Sequence, residues 1–297
     1  MKTVALLLDE SKNQYQQLLL RRAREQAGPL RFELFDSQYA DGSSWNQLES
    51  INNYLRLSTP PDALLVMLAG EQHNGSWLER VIAKNIAVVF LNRIPPWLTP
   101  MRRKFPHALL AAVAPTQLAV GRLQAEQAMR LVRSGSFVIL ITGATKSPTA
   151  VERQRGFMDT VKRHLNVCVL DGRWSAQDAE AALTEWFQLG AERARPLSLI
   201  ACQNDPMAQG AHRALLRYAK SSGRPEIARV PLLGCDGLEA EGQAWVRSGI
   251  LTATIILSPT TPIAFEILQR YWASGVRCQT IELEVTSFPP LQNLRSI

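Results

Sequence analysis

The chain has 297 residues, 46% of them hydrophobic and 20% charged, with a net charge of +7 at neutral pH. That length suits two domains of ordinary size, and the composition excludes disordered and fibrous classes. No stretch reaches the roughly 18 consecutive apolar residues that a membrane-spanning helix needs.

The positive balance raises a nucleic-acid reading. Its densest clusters, Arg21-Arg22-Ala23-Arg24 and Arg102-Arg103-Lys104, are short and far apart, and no DNA-binding motif accompanies them. The first lies beside Leu19 and Leu20 in a helical pattern, as a solvated helix face does. No specific nucleic-acid partner is expected. Cys168, Cys202, Cys235 and Cys278 form no C-x-x-C pair, and His73, His107, His164 and His212 never fall at metal-ligand spacing. Neither a disulfide framework nor a metal site is expected.

In chain order, short apolar runs alternate with helical patterns. Strands are expected at Val4–Leu8, Phe32–Phe35, Ala63–Leu68, Ala87–Leu91, Leu109–Val113, Phe137–Thr142, Val167–Leu170, Leu197–Ala201, Val230–Leu233, Leu251–Ile256 and Ile281–Val285. Most are continuously apolar, which is how strands covered on both faces of a parallel sheet look. A helix is expected from Gln14 to Ala27, stopped by Gly28-Pro29. Others open near Thr149 and at Asp205-Pro206, read as a cap followed by proline at the first helical position. Alternation of this kind builds right-handed βαβ units and parallel sheets covered by helices. The series restarts near Phe137 after the less regular stretch 95–106, so two similar lobes are expected.

No G-x-S-x-G, H-E-x-x-H or G-x-G-x-x-G occurs. Gly143-Ala144-Thr145-Lys146-Ser147 follows a strand, but Thr145 stands where a phosphate-cradling loop needs glycine. No catalytic residue and no cofactor are expected.

What remains is a set of polar and aromatic residues just past strand carboxyl ends, where ligands bind in open parallel sheets. They are Asp9, Asn13 and Tyr15 after the first strand, then Asn92 and Arg93, then Arg153, Trp174, Asn204 and Asp236. Amides, carboxylates and a guanidinium hold neighbouring hydroxyls with paired hydrogen bonds. Aromatic faces suit the C–H face of a sugar ring. Each residue also has a plainer reading. Asn13 is equally an ordinary helix cap, Tyr15 a packing residue, Asp236 a turn residue, Arg153 a surface-paired cation and Trp174 a helix cover. Asn204 lacks that alternative, because Asp205 takes the cap role.

The segments Val4–Tyr15, Val88–Arg93, Glu152–Phe157, Gln203–Ala208, Leu233–Gly237 and Gly249–Ile255 together carry a resemblance. The chain resembles the type I periplasmic binding protein family, in particular its ribose-binding-like branch, which shares a core with lac-repressor-type regulators. The resemblance implies an α/β fold of two Rossmann-like lobes, with doubly wound parallel sheets and three hinge crossings. The lobes would be 1–115 with 258–286, and 116–257 with 287–297. It also implies that Asn13, Tyr15, Arg93, Arg153, Asn204 and Asp236 fall at sugar-contacting positions, with Asn92 replacing an aspartate and Trp174 at an aromatic position. Asp9 stands in place of a serine and Gln16 in place of an aromatic. Met67 and Leu257 replace amides, and Thr116-Gln117 replaces Asp-Asn at the first crossing. These departures point away from ribose itself.

The function implied is a solute-binding protein that closes two lobes on a small polar ligand, first of all a monosaccharide, for ABC-type uptake. Its partners would be that ligand and a membrane permease or a signalling partner. The alternative is the ligand-sensing domain of a signalling protein or transcription regulator. The place of action expected is the periplasm or another extracytoplasmic compartment, although Val4–Leu8 is too short for a signal core.

Overall fold

A computed structural model describes residues 1–69, 75–190 and 196–295; His73 lies outside them. The chain divides into two compact units, Met1–Thr116 with Ser258–Leu283 and Gln117–Leu257 with Glu284–Ile297. It therefore passes between them at 116/117, 257/258 and 283/284.

The first unit runs β1 (Lys2–Leu8), α1 (Gln14–Ala27), β2 (Phe32–Tyr39), α2 (Ser44–Arg56), β3 (Ala63–Val66), α3 (Ser76–Ala83), β4 (Ala87–Leu91), α4 (Leu98–Lys104) and β5 (Leu110–Pro115). It is completed by α10 (Thr260–Ser274) and β11 (Thr280–Leu283). All six strands pair in parallel, in the order β11-β5-β4-β3-β1-β2. Alternation along the strands decides which layer each side chain meets. Ala5, Leu7, Leu64, Val66, Val88 and Phe90 pack with Ile51, Tyr54, Trp77, Leu78 and Val81 of α2 and α3. Val4, Leu6 and Leu8 are just as buried on the opposite face. Burial on both sides is why these strands read as unbroken apolar runs.

The second unit contains α5 (Gln117–Leu131), β6 (Phe137–Thr142), α6 (Pro148–Val161), β7 (Asn166–Asp171), α7 (Ala176–Gln188), β8 (Leu197–Cys202) and α8 (Asp205–Ser222). After these come β9 (Leu232–Leu233), α9 (Ala244–Arg247), β10 (Thr254–Ile256) and β12 (Thr286–Phe288). Its sheet is parallel in the order β7-β6-β8-β9, and single bridges Leu233–Ala253 and Asp236–Ile256 extend the pattern to β10. Ile139 and Ile141 face α7 and α8, while Val138 and Leu140 face α5 and α6. The parallel α/β architecture in two lobes is thus present.

Four strand expectations shrink, the first being Ala63–Leu68, which ends at Val66. Val230–Leu233 is regular only over Leu232–Leu233, Leu251–Ile256 only over Thr254–Ile256, and Ile281–Val285 ends at Leu283. Beyond Leu283 the chain joins the other unit, where β12 pairs antiparallel with β10. That pairing was not foreseen, because three residues are too few to show a period.

Candidate ligand-binding site

In the second unit the site is built on a close helix contact. A Cβ on Gly121 of α5 would fall 2.0 Å from the carbonyl oxygen of Arg153, and one on Gly156 of α6 would fall 2.2 Å from that of Leu118. Only glycine lets the two helices approach this way. The contact carries Arg153 inward, where it is 4% exposed. Its Nε donates to Gln117 Oε1 at 2.8 Å and its Nη1 to the Gln203 carbonyl at 2.6 Å. The same Nη1 lies 3.5 Å from Cys235 Sγ. Arg153 is therefore a buried, braced cation and not a surface-paired one.

Its guanidinium carbon lies 5.6 Å from the centre of the Trp174 ring. Trp174 and the preceding Arg173 both have positive φ, 64° and 47°. Such backbone is uncommon for residues with a Cβ and costs about 1–3 kcal/mol each where it is strained. The indole fits because Gly143 has no side chain: a Cβ there would lie 2.0 Å from Cε2 of the ring. The loop after β6, which fails as a phosphate cradle, serves as the floor of an aromatic platform.

Asn204 is joined to that platform by a bond from its Nδ2 to the Trp174 carbonyl at 3.1 Å. Its Oδ1 accepts from the amide of Met207 at 2.9 Å, so Asn204 is the cap of α8. This corrects the expectation that Asp205 caps the helix. Asp205 is instead its first residue and almost wholly buried. Asn204 has the structural role that sequence reasoning denied it, because its extended backbone, with φ −148°, is what an N-cap requires.

Asp236 follows β9 and has φ 107°, a rare value for any residue but glycine. Burial pushes its carboxyl up to about 7, against the pull of the Arg153 charge, with Glu241 adding to the rise. Arg153, Trp174, Asn204 and Asp236 thus form one connected group within this unit.

The first unit brings its candidates together more loosely. Asn13 caps α1, accepting from Gln16 N at 3.0 Å, so the capping reading applies. Tyr15 is buried and its hydroxyl donates to the Ser258 carbonyl at 3.1 Å, a tie to the start of α10. Asp9 is half-buried and accepts from the Gly42 amide at 3.2 Å. Burial is the main cause that raises its carboxyl to about 6, with the Gly42 amide and the Arg93 charge opposing and Asp41 reinforcing the rise. Glu10 reaches about 6 through burial and the neighbouring Asp9 and Asp41. Asn92 is buried just past β4 with φ 63°, and Arg93 follows it, half-buried. The Arg93 charge is thus felt by Asp9, while Asn13 and Tyr15 have structural roles as a helix cap and a tie to Ser258.

The sequence reading did not give these jobs to a set of buried amides. Gln16 Oε1 accepts from the amides of Asp9 and Glu10 at 2.7 and 2.9 Å. Gln47 bonds the Met67 carbonyl and the Ala69 amide, and Gln203 bonds the Gly143 amide and the Ala150 carbonyl. Each glutamine fixes the backbone of a segment that follows a strand: Gln16 after β1, Gln47 after β3 and Gln203 after β6. The signal was available as a polar residue on the apolar stripe of a helix or at a strand end.

The profile of a periplasmic binding protein domain matches residues 4–271 of this chain. The chain belongs to the periplasmic binding protein family. Its fold is similar to that of a galactofuranose-binding protein, at 16% identity and TM-score 0.79 over 99% of this chain and 98% of the other. It is equally similar to an ABC transporter periplasmic solute-binding protein of Actinobacillus succinogenes with bound D-allose, at 18% identity and TM-score 0.79 over 97% of each chain. A Caulobacter myo-inositol binding protein matches at 19% identity and TM-score 0.79, over 96% of this chain and 92% of the other.

For a periplasmic binding protein, the two units are the family's two lobes. Among the described residues, no group of three or more histidine, cysteine, aspartate or glutamate side chains is arranged to hold a metal. The four cysteines are unpaired thiols, and burial pushes that of Cys235 up to about 12, which keeps it protonated and inert.

Proposed function

We propose that this periplasmic binding protein captures a monosaccharide, or a cyclic polyol of similar size, outside the cytoplasm and releases it unchanged to an ABC-type permease. Asp9, Asn92 and Arg93 of one lobe and Arg153, Trp174, Asn204 and Asp236 of the other would contact the ligand, with Asn13 and Tyr15 supporting the first set. Capture would close the two lobes, a population shift driven by contacts that only the closed state completes.

The observation that carries this reading is the second-unit group itself. A buried guanidinium lies against an aromatic ring, with a carboxyl group near enough to feel its charge and a carboxamide tied to the backbone carbonyl of the same tryptophan. Paired donors and acceptors beside an aromatic face are what a ring bearing neighbouring hydroxyls requires. The bound sugars and cyclitol of the structurally similar proteins support the same class.

Calorimetric titration with D-galactose, L-arabinose, D-allose and myo-inositol tests it. Arg153→Ala removes one partner of a charge-assisted bond, about 1.5–3 kcal/mol. It should weaken binding roughly tenfold to hundredfold. Arg155, exposed and paired only with Asp159 at 3.6 Å, is the control and should bind as native when changed to alanine. Equal losses in both variants, or conversion of the ligand detected by mass spectrometry, would refute the reading.

A further inference from the structure

Asp236 is the candidate whose backbone is least comfortable, and its surroundings explain how that conformation survives. Its amide donates to the Ile255 carbonyl at 3.0 Å and its carbonyl accepts from the Leu257 amide at 3.2 Å, so β10 grips it from one side. The other side is held by a single buried carboxyl. Asp205 Oδ2 accepts from the Gly237 amide at 2.8 Å, Oδ1 accepts from the Thr254 hydroxyl at 2.6 Å, and the Asp205 amide donates to the Cys235 carbonyl at 2.6 Å.

Two glycines make room for that carboxyl. A Cβ on Gly234 would lie 2.0 Å from Oδ1, and a Cβ on Gly242 would lie 2.0 Å from Oδ2. The start of α8, the 234–237 turn, the segment at Gly242 and β10 therefore all converge on one side chain. A group this deeply buried disfavours its charged form unless it is fully engaged, and here both oxygens are occupied. A strained residue persists where its surroundings over-determine it, and such residues cluster at ligand contacts.

We propose that Asp205 is a positioning residue: it locks the 234–237 turn so that Asp236 is presented to ligand, an inference that rests on the sugar-binding reading above. Asp205 itself does not touch ligand. It acts through the Gly237 amide and through Thr254, and the carboxyl can be replaced by a carboxamide of the same shape. An asparagine would accept from Gly237 with its oxygen and donate to Thr254 Oγ with its nitrogen.

The experiment compares Asp205→Ala, Asp205→Asn and native protein by titration with the same four sugars and polyols, and by amide hydrogen exchange with no ligand present. Asp205→Ala should bind at least tenfold more weakly and exchange the Gly237 amide at least tenfold faster. Amides in the middle of α8 should be unaffected. Asp205→Asn should remain within about threefold of native in both measurements.

If Asp205→Ala does not fold, Gly242→Ala substitutes for it, since its new methyl displaces Oδ2 from the Gly237 amide. It should reproduce the tenfold losses. Native protection of Gly237 in the disrupted variant overturns the proposal, as does native affinity despite lost protection or an Asp205→Asn as damaged as Asp205→Ala. If native protein binds none of the four compounds, the sugar reading fails, while the exchange rates still decide whether Asp205 holds the turn.

Discussion

The two lobes carry candidates of similar chemistry and hold them differently. In the second lobe Arg153, Asn204 and Asp236 are buried, and each is tied to a neighbour that is itself tied down. In the first, Asp9, Arg93 and the helix cap Asn13 are half-buried, and the buried Tyr15 is a strut to Ser258. Ordering a side chain before the ligand arrives reduces the entropy lost on binding. On the proposed reading the second lobe is thus the pre-organised half, and it would supply the fixed geometry against which a ligand is selected. The first lobe would contribute charges that solvent still reaches.

The sharpest test of that difference is pH. In the folded chain Asp236 keeps its proton up to about 7, whereas its ordinary value is 3.8. Between those values the folded state binds more protons than the unfolded one, so stability is greatest at the acid end and falls as pH rises from about 4 to about 7. Asp236→Asn should flatten this slope, by up to about 4 kcal/mol at pH 7 if the whole shift is realised. It should also relieve Asp205, whose carboxyl the Asp236 charge pushes higher still. Asp9→Asn should flatten only the part below about 6, and by less, because Asp9 is half-buried. Denaturant titrations from pH 4 to 8 measure both. An equal effect from the two variants would remove the contrast between the lobes.

Packing gives the next largest effect. Gly121→Ala forces a methyl against the Arg153 carbonyl and should cost about 1–3 kcal/mol of stability through overpacking. It should also weaken ligand binding by moving α6. In the first lobe, Gly28 has φ −58° and nothing within 4 Å of the missing Cβ. Gly28→Ala should instead change stability by less than about 1 kcal/mol, because the gain from restricting the unfolded chain is opposed by the crowding that Pro29 imposes on an α-region residue before it. Thermal unfolding of both variants checks the pair, and a harmless Gly121→Ala would mean that the helices do not need their close approach.

A further small effect is that expected of Tyr15→Phe. It deletes the bond to the Ser258 carbonyl and should lower stability by about 1 kcal/mol, the net value of one such bond. If Tyr15 is only a strut, ligand affinity should stay within about threefold of native. A larger loss of affinity with unchanged stability would promote the hydroxyl to a ligand contact and bring the first lobe closer to the second.

Much of this was legible in the sequence. Unbroken apolar runs such as Val4–Leu8 and Phe137–Thr142 determined parallel strands buried on both faces, because no other common arrangement hides both sides of a strand. Gln14–Ala27 appeared with its cap and its stop, since capping chemistry is local. The candidates after each strand could be enumerated because the carboxyl ends of a parallel sheet are where ligands meet it.

Only the tertiary structure decided what each candidate does. Asn204 rather than Asp205 caps α8, a choice made by the backbone of the preceding residue and by the pull of Gly237 and Thr254 on the Asp205 carboxyl. Gln16, Gln47 and Gln203 became loop braces because segments distant in sequence deliver bare amides and carbonyls to them. Gly121, Gly143 and Gly234 look like ordinary glycines until Arg153, Trp174 and Asp205 are packed against them. Periodicity and capping are properties of neighbours along the chain and can be read there. Satisfaction of buried polar groups and the fit of a missing Cβ depend on what folding places across the gap, which no local pattern records.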